Sequence, residues 1–246
     1  MKTIHLYGKH TVTELLQRNP ERIQMLYLAP NADEEFRPMA ASVKVRCDSL
    51  ANNKFMRDLK DVVHQGVVAR VDIEGLVMDY RHFMDNLDAT PDTSLLLLNE
   101  ITDPYNVGAI IRSAAAFGVS GVLVPTNNQA PITGAVAKAS VGAIFSVPLI
   151  SINNENQAIL DLKKRGFWSY GLDSEASRDL NKEVFDAPAV FVVGGEAEGL
   201  REKTREHCDF TLKIPMHPRC ESLNASVSAA IVMAEWSSQH KAALKI

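Results

Sequence analysis

The sequence predicts an α/β protein: a C-terminal parallel sheet with helices on both faces, preceded by a small α/β unit. Two observations carry this. From residue 94 onward, apolar runs suited to buried strands alternate with helical segments, a spacing that means parallel strands joined by crossover helices. Residues 1–75 have a different texture, with shorter apolar strands and short helices in mixed order. The expected organisation is a small unit over 1–75, a linker over 76–93, and the parallel-sheet domain over 94–246.

Each element follows from local pattern. In the first unit "RIQMLYLAP", "VKVRC" and "GVVARVDI" read as strands, and "HTVTELLQR" and "SLANNKFMRDLK" as helices. Residues 76–93 carry charge and end in a Thr-Pro-Asp turn, as a partly helical linker would. "SLLLLNE" is a continuous apolar run, suited to a strand buried on both faces. "VGAIIRSAAAFG" reads as a helix ending at Gly118. "GVLVP", "SVPLI", "FWSYGL", "AVFVVGGE" and "FTLKIP" follow as further strands.

The 246 residues are 46% hydrophobic and 23% charged, an ordinary globular balance with material for a core. The N-terminus has no long apolar run, and no stretch approaches the roughly 20 apolar residues of a membrane helix. Three scattered cysteines, Cys47, Cys208 and Cys220, do not make a disulfide framework, so a cytoplasmic setting without membrane attachment is expected. The net charge of −4 argues weakly against a nucleic-acid partner. It is unevenly spread, with 11 basic residues against 10 acidic in 1–75 and 15 against 20 in 76–246. A local basic patch therefore remains compatible with the acidic whole.

In parallel sheets ligands bind at the carboxyl ends of strands, which directs attention to three turns. The first is "DPYNVGAIIRSAAAFG". Asp103 and Pro104 make a turn, Asn106 is a candidate N-cap, and Arg112 is a lone charge in a small-residue helix. Its guanidinium suits phosphate or carboxylate, or simply the solvent face. The second is "FVVGGEAEGL", where Gly194 and Gly195 end a buried strand before Glu196 and Gly199. These glycines admit close approach to the backbone. They match neither the dinucleotide fingerprint nor a phosphate loop, which disfavours a nucleotide-dependent oxidoreductase. The third is "IPMHPRCESLNASVSAAI", where Ser222 and Asn224 open a helix of small residues. They can cap it, hold a ligand, or do both. A zinc site is disfavoured, because His207 and Cys208 are adjacent and their side chains should diverge; no metal is expected.

In this order and spacing the three turns, with the intervening "KASVGAIFSVPL", resemble the SpoU (TrmH-type) branch of the SPOUT RNA methyltransferases. The likeness covers most of residues 94–240. "YGKHTVTELL", "PERIQMLYL" and "VHQGVVARV" look like the substrate-binding domain that precedes the catalytic domain in bacterial 23S rRNA guanosine-2′-O-methyltransferases. The resemblance implies a SPOUT domain with a C-terminal trefoil knot, a homodimer, S-adenosylmethionine as methyl donor, and a ribose 2′-hydroxyl of RNA as acceptor. The favoured acceptor is a guanosine of 23S rRNA.

It also implies roles for residues. Asn106, Arg112, Glu196, Ser222 and Asn224 form the catalytic set. Arg112 stabilises the developing alkoxide, since a guanidinium is a poor base, while Asn106 and Glu196 orient it and the nucleotide. Gly194, Gly195, Gly199, Ile214, Met216 and Leu223 hold the cofactor. Lys9, His10 and Arg70 are candidates for RNA contact, against a reading as surface or capping residues. The chain departs from the family at Pro218 and Ala197, where glycines are usual. Two alternatives stand beside this reading: a tRNA 2′-O-methyltransferase, and a non-catalytic RNA-binding protein on a degenerate SPOUT fold.

Overall fold

The computed structural model describes residues 3–51, 53–57, 59, 62–195 and 199–245. Apolar alternation in the first unit builds a four-stranded sheet. Its elements are β1 (Thr3–Tyr7), α1 (Lys9–Arg18), β2 (Ile23–Leu28), α2 (Pro30–Ser42), β3 (Cys47–Ser49) and β4 (Val67–Asp72). The strand order is β1-β4-β2-β3. β4 runs antiparallel to β1 and β2, and β2 is parallel to β3. Leu6, Leu26, Ala69 and Val71 point to one face, under Val12, Leu15 and Leu16 of α1 and Ala32, Phe36 and Ala40 of α2. Tyr7, Tyr27 and Val68 point to the other, with Leu50 and Leu59. There Phe55 stacks on His5 at 4.1 Å and tilts against Tyr27 at 4.7 Å.

Local expectations fail in this unit more than elsewhere. β1 was not expected at all. "VKVRC" is mostly a turn, with Lys44 at φ 60, and the strand begins only at Cys47. The helix expected from "SLANNKFMRDLK" shrinks to a 3-10 turn over Lys54–Arg57. Ser49 and Asn53 there bond the local backbone, Ser49 Oγ accepting from Ala51 N–H and Asn53 Nδ2 donating to the Ser49 carbonyl, in competition with a helix. α2 went unpredicted because Pro38 sits inside it. Pro30 at its start fixes a helical φ, and Ala32, Phe36 and Ala40 recur every four residues on its buried side.

The second sheet has eight strands in the order β10-β12-β9-β11-β6-β7-β8-β5, every pair parallel. In chain order its elements are β5 (Val77–Asp79), α3 (Tyr80–Asp85), β6 (Ser94–Asn99), α4 (Pro104–Ala116), β7 (Gly121–Pro125), α5 (Gly134–Ala139), β8 (Leu149–Ile152), α6 (Glu155–Lys164), β9 (Trp168–Leu172), β10 (Arg178–Asp179), β11 (Ala189–Gly194), α7 (Glu202–His207), β12 (Phe210–Lys213) and α8 (Ala225–Gln239). The stretch 76–93 thus contributes an edge strand and a short helix to this sheet. Helices cover both faces, as an all-parallel sheet requires. Leu96 and Leu98 of β6 face the helices α4, α5 and α8, while Leu95 and Leu97 face α3 and α6.

The two sheets share one apolar core, joined where α5 meets β1. Gly134 permits that approach: a Cβ there would lie 2.4 Å from the His5 carbonyl oxygen. Lys138, one turn on, sets its ammonium 4.8 Å over the Tyr7 ring and donates to the Val63 carbonyl at 3.3 Å.

Candidate active site

Three strands, β9, β11 and β12, end at a cavity of about 460 Å³, within the range of small-ligand sites. Its walls carry Val193, Leu212, Ile214, Met216 and Leu223, and its rim carries Asp173, Glu175 and Glu221. Gly194, Gly195, Gly199 and Ser222 also line it. The cofactor-binding residues implied by the resemblance therefore share one cavity. The glycines are sterically required. A Cβ on Gly194 would meet the Gly199 carbonyl oxygen at 2.1 Å, and Gly199 itself has φ +64. The loop is folded back on itself, Gly199 N–H donating to the Gly195 carbonyl at 3.0 Å.

The turn between β6 and α4 braces this loop. Arg201 Nε donates to Glu100 Oε2 at 2.7 Å, Asn128 Nδ2 donates to Glu100 Oε1 at 2.9 Å, and Arg201 N–H reaches Asn99 Oδ1 at 3.4 Å. Across the cavity Arg205 pairs with Asp173 at 3.2 Å. Sequence reasoning missed Asp173 and Glu175, although the strand-end rule applied to β9 would have pointed to the turn that holds them.

Asn106 and Asn224 meet although 118 residues separate them: Asn224 Nδ2 donates to Asn106 Oδ1 at 3.1 Å. Asn106 is not the N-cap expected from the sequence. Asp103 caps α4, its Oδ1 accepting from Tyr105 N–H at 2.9 Å, and Pro104 takes the first helical position, where its missing N–H costs nothing. Asn106 is left inside the first turn, 7% exposed. Asn224 caps α8 through Oδ1, which accepts from Ser226 N–H at 2.9 Å and Val227 N–H at 3.4 Å. One side chain thus uses its oxygen to start a helix and its amide to tie that helix to α4. Ser222 lies two residues before the cap, exposed at the cavity rim.

Other expected site residues lie apart. Arg112 is exposed on α4 and is not among the residues lining the cavity. Glu196 and Ala197 lie outside the described residues, whereas Pro218 is exposed in the loop between β12 and α8. Lys9 forms an ion pair with Glu35, and His10 is exposed on the first turn of α1. Arg70 sits half-buried on β4 between His5 and Met25, its buried Nε without a hydrogen-bond partner among the described residues.

A parallel sheet with this cavity and these paired helix starts defines a class, and comparison with known families specifies it. The SpoU rRNA Methylase family matches residues 93–234, and the RNA 2′-O ribose methyltransferase substrate-binding family matches residues 5–74; the chain belongs to the SpoU methylases. It is 35% identical to the 23S rRNA (guanosine-2′-O-)-methyltransferase RlmB of Vibrio parahaemolyticus, over 99% of this chain and 100% of that one. It is 36% identical to RlmB of Escherichia coli, over 94% of this chain and 96% of the relative. Among solved structures, the SpoU methyltransferase AviRb of Streptomyces viridochromogenes in complex with AdoMet aligns with a TM-score of 0.79 and 23% identity, covering 98% of this chain and 91% of that chain. At that identity the likeness speaks for the fold.

Proposed function

We propose that this protein methylates the 2′-hydroxyl of a ribose in RNA, using S-adenosylmethionine, and that the acceptor is a guanosine of 23S rRNA. The observation that carries the reading is the cavity at the ends of β9, β11 and β12, beside the Asn106–Asn224 bridge. Full-length similarity to the RlmB enzymes supports the choice of acceptor. The residues fit the cofactor: apolar walls for an adenine, glycines where a Cβ would obstruct, and carboxylates that suit ribose hydroxyls and a cationic ligand. When bound, S-adenosylmethionine supplies an electrophilic methyl group.

The chain's own residues then position and desolvate the acceptor, which is most of the task in a displacement. Ser222 and Asn224 orient the nucleotide at the cavity rim. Asn106 holds Asn224 in place, and Glu196 helps orient Arg112. Arg112 stabilises negative charge developing on the 2′-oxygen, the proton leaving to water or phosphate. The first unit, residues 1–75, contributes RNA affinity through Lys9, His10 and Arg70. The C-terminal segment is threaded as a trefoil knot, supported by the fold likeness to SpoU enzymes. The protein works in the cytoplasm as a homodimer. A second copy would account for the placement of Arg112, which is exposed and does not line the cavity of its own chain.

Mass-spectrometric mapping of ribose methylation in 23S rRNA, with and without this protein, tests the reading. One 2′-O-methylguanosine disappears in its absence. Wild type restores it, and Arg112→Ala restores it at least about 100-fold more slowly, with an unchanged melting temperature because the side chain is exposed. Retention of every ribose methyl would reject the rRNA assignment. Full activity of Arg112→Ala would reject its role.

A further inference from the structure

Among the described residues lining the cofactor cavity, four carry charge: Asp173, Glu175, Arg205 and Glu221. One base against three acids leaves a net −2, and the acids are not equivalent. Asp173 is already engaged. Its Oδ2 accepts from Arg205 at 3.2 Å, its Oδ1 accepts from Glu175 N–H at 2.9 Å, and its side chain is only 16% exposed. Its own N–H donates to the Leu212 carbonyl at 3.0 Å. Arg205 therefore cancels Asp173, and the pair fixes the turn after β9.

Glu175 and Glu221 are different. Both are exposed, and neither carboxylate has an ion pair or hydrogen bond among the described residues. One lies in the turn after β9 and the other in the loop between β12 and α8, so two separate segments bring the same sign to one cavity. Nearby bases do not offset them. Arg201 is paired with Glu100, and His217 and Arg219 are not among the residues lining the cavity. A ligand held in about 460 Å³ stays within about 8–10 Å of both carboxylates, no more than a Debye length at ordinary salt.

We infer that Glu175 and Glu221 make the cavity selective for charge, favouring the cationic methyl donor over the product it leaves behind. This rests on the methyltransferase reading. In the transfer the methyl carbon bonds to the ribose oxygen, the C–S electron pair stays on sulfur, and the hydroxyl proton leaves to solvent. S-adenosylhomocysteine therefore has one positive charge fewer than S-adenosylmethionine, and the two free carboxylates attract it less. The field thus aids capture of the donor and release of the spent form. Carboxylates that merely bonded ribose hydroxyls would serve both forms alike, since donor and product carry the same ribose.

The test is calorimetric binding of S-adenosylmethionine, S-adenosylhomocysteine and sinefungin to wild type, Glu175→Gln, Glu221→Gln and the double variant. Sinefungin carries an ammonium in place of the methylsulfonium, so it separates charge from the methyl group. At about 10 mM salt, a charge roughly 6 Å away through water changes affinity about threefold. Each single variant should bind S-adenosylmethionine and sinefungin about threefold more weakly, and the double variant about tenfold. S-adenosylhomocysteine should stay within about twofold of wild type. Glu34→Gln, the same charge change on the exposed side of α2, should alter none of the three. Raising the salt to about 1 M should bring the donor-to-product affinity ratio of wild type down to that of the double variant. Equal weakening of all three ligands overturns the inference in favour of bonds to the shared ribose. Unchanged affinities overturn it too, as do a matching shift in Glu34→Gln or a wild-type ratio indifferent to salt. If wild type binds none of the three, the methyltransferase reading itself has failed, and this inference with it.

Discussion

The two ends of the parallel sheet are built from the same strands, yet one is filled and the other holds a cavity. At the amino end, Asp209 is saturated: Lys163 pairs with Oδ1 at 2.7 Å, and the Ser169 hydroxyl donates to Oδ2 at 2.7 Å. Ser169 is fully buried there, and Cys208 is packed beside it. At the carboxyl end the loops are long, three glycines replace side chains, and a cavity of about 460 Å³ lies open. The difference follows from chain direction. In a parallel sheet the loops leaving the strands lead into helix starts, whose free N–H groups and positive dipole ends face a ligand. Stability chemistry and functional chemistry therefore occupy opposite ends of one sheet.

Three experiments can break or sharpen that contrast. The largest effect belongs to Gly194→Ala at the carboxyl end. A methyl group 2.1 Å from the Gly199 carbonyl and 2.6 Å from Leu200 N forces backbone against backbone, so the loop must open. Calorimetry should show S-adenosylmethionine affinity reduced at least about 100-fold, with the fold weakened by about 1–3 kcal/mol as in overpacked cores. Affinity within twofold of wild type would show that the loop does not shape the site.

Asp209→Asn, at the amino end, should leave cofactor affinity unchanged and lower stability at pH 7 by about 2 kcal/mol, typical of lost charge-assisted hydrogen bonds. Burial opposes ionisation of Asp209, but hydrogen bonds from Lys163 and Ser169 outweigh it and hold the carboxyl below its usual pKa. The unfolded chain then binds this proton more readily. The stabilisation is therefore present above the unfolded value of about 3.9 and lost as pH falls through the lower folded value. Urea unfolding across acid pH should show this loss in wild type and a flatter profile in Asn; equal slopes would assign the acid sensitivity elsewhere.

The smallest effect is a difference in labelling. Burial pushes the Cys208 thiol up to about 12, so little thiolate forms, whereas Cys220 is exposed on the cavity loop. Brief alkylation at pH 8 should modify Cys220 and spare Cys208, read by peptide mass. Equal labelling would mean that the amino end opens readily.

Legibility from sequence followed the same division. Every strand from β6 onward, apart from the two-residue edge strand β10, was read from its apolar run, because burial on both faces imposes continuous hydrophobicity. The small sheet was harder, since Pro38 hid α2 and the Ser49–Asn53 turn dissolved an expected helix. The turns at strand ends drew attention to Gly194, Gly195, Gly199, Ser222, Asn106 and Asn224, and the family resemblance gave them site roles. This reading missed Asp173 and Glu175, which the strand-end rule could have reached, and the Glu100–Arg201 brace, a contact 101 residues apart in the chain.

What the sequence by itself determined was local: the hydrophobic period of each strand, the proline and asparagine at helix starts, and the glycines at strand ends. These depend on forces acting within a few residues. The tertiary structure alone decided that Asn224 would hold Asn106 and that three strand ends would enclose one cavity. It also set the Lys138 ammonium of α5 over the Tyr7 ring of the small sheet. Those juxtapositions come from the packing of distant segments into a common core, and side-chain burial across that core, rather than any local preference, determines which atoms meet.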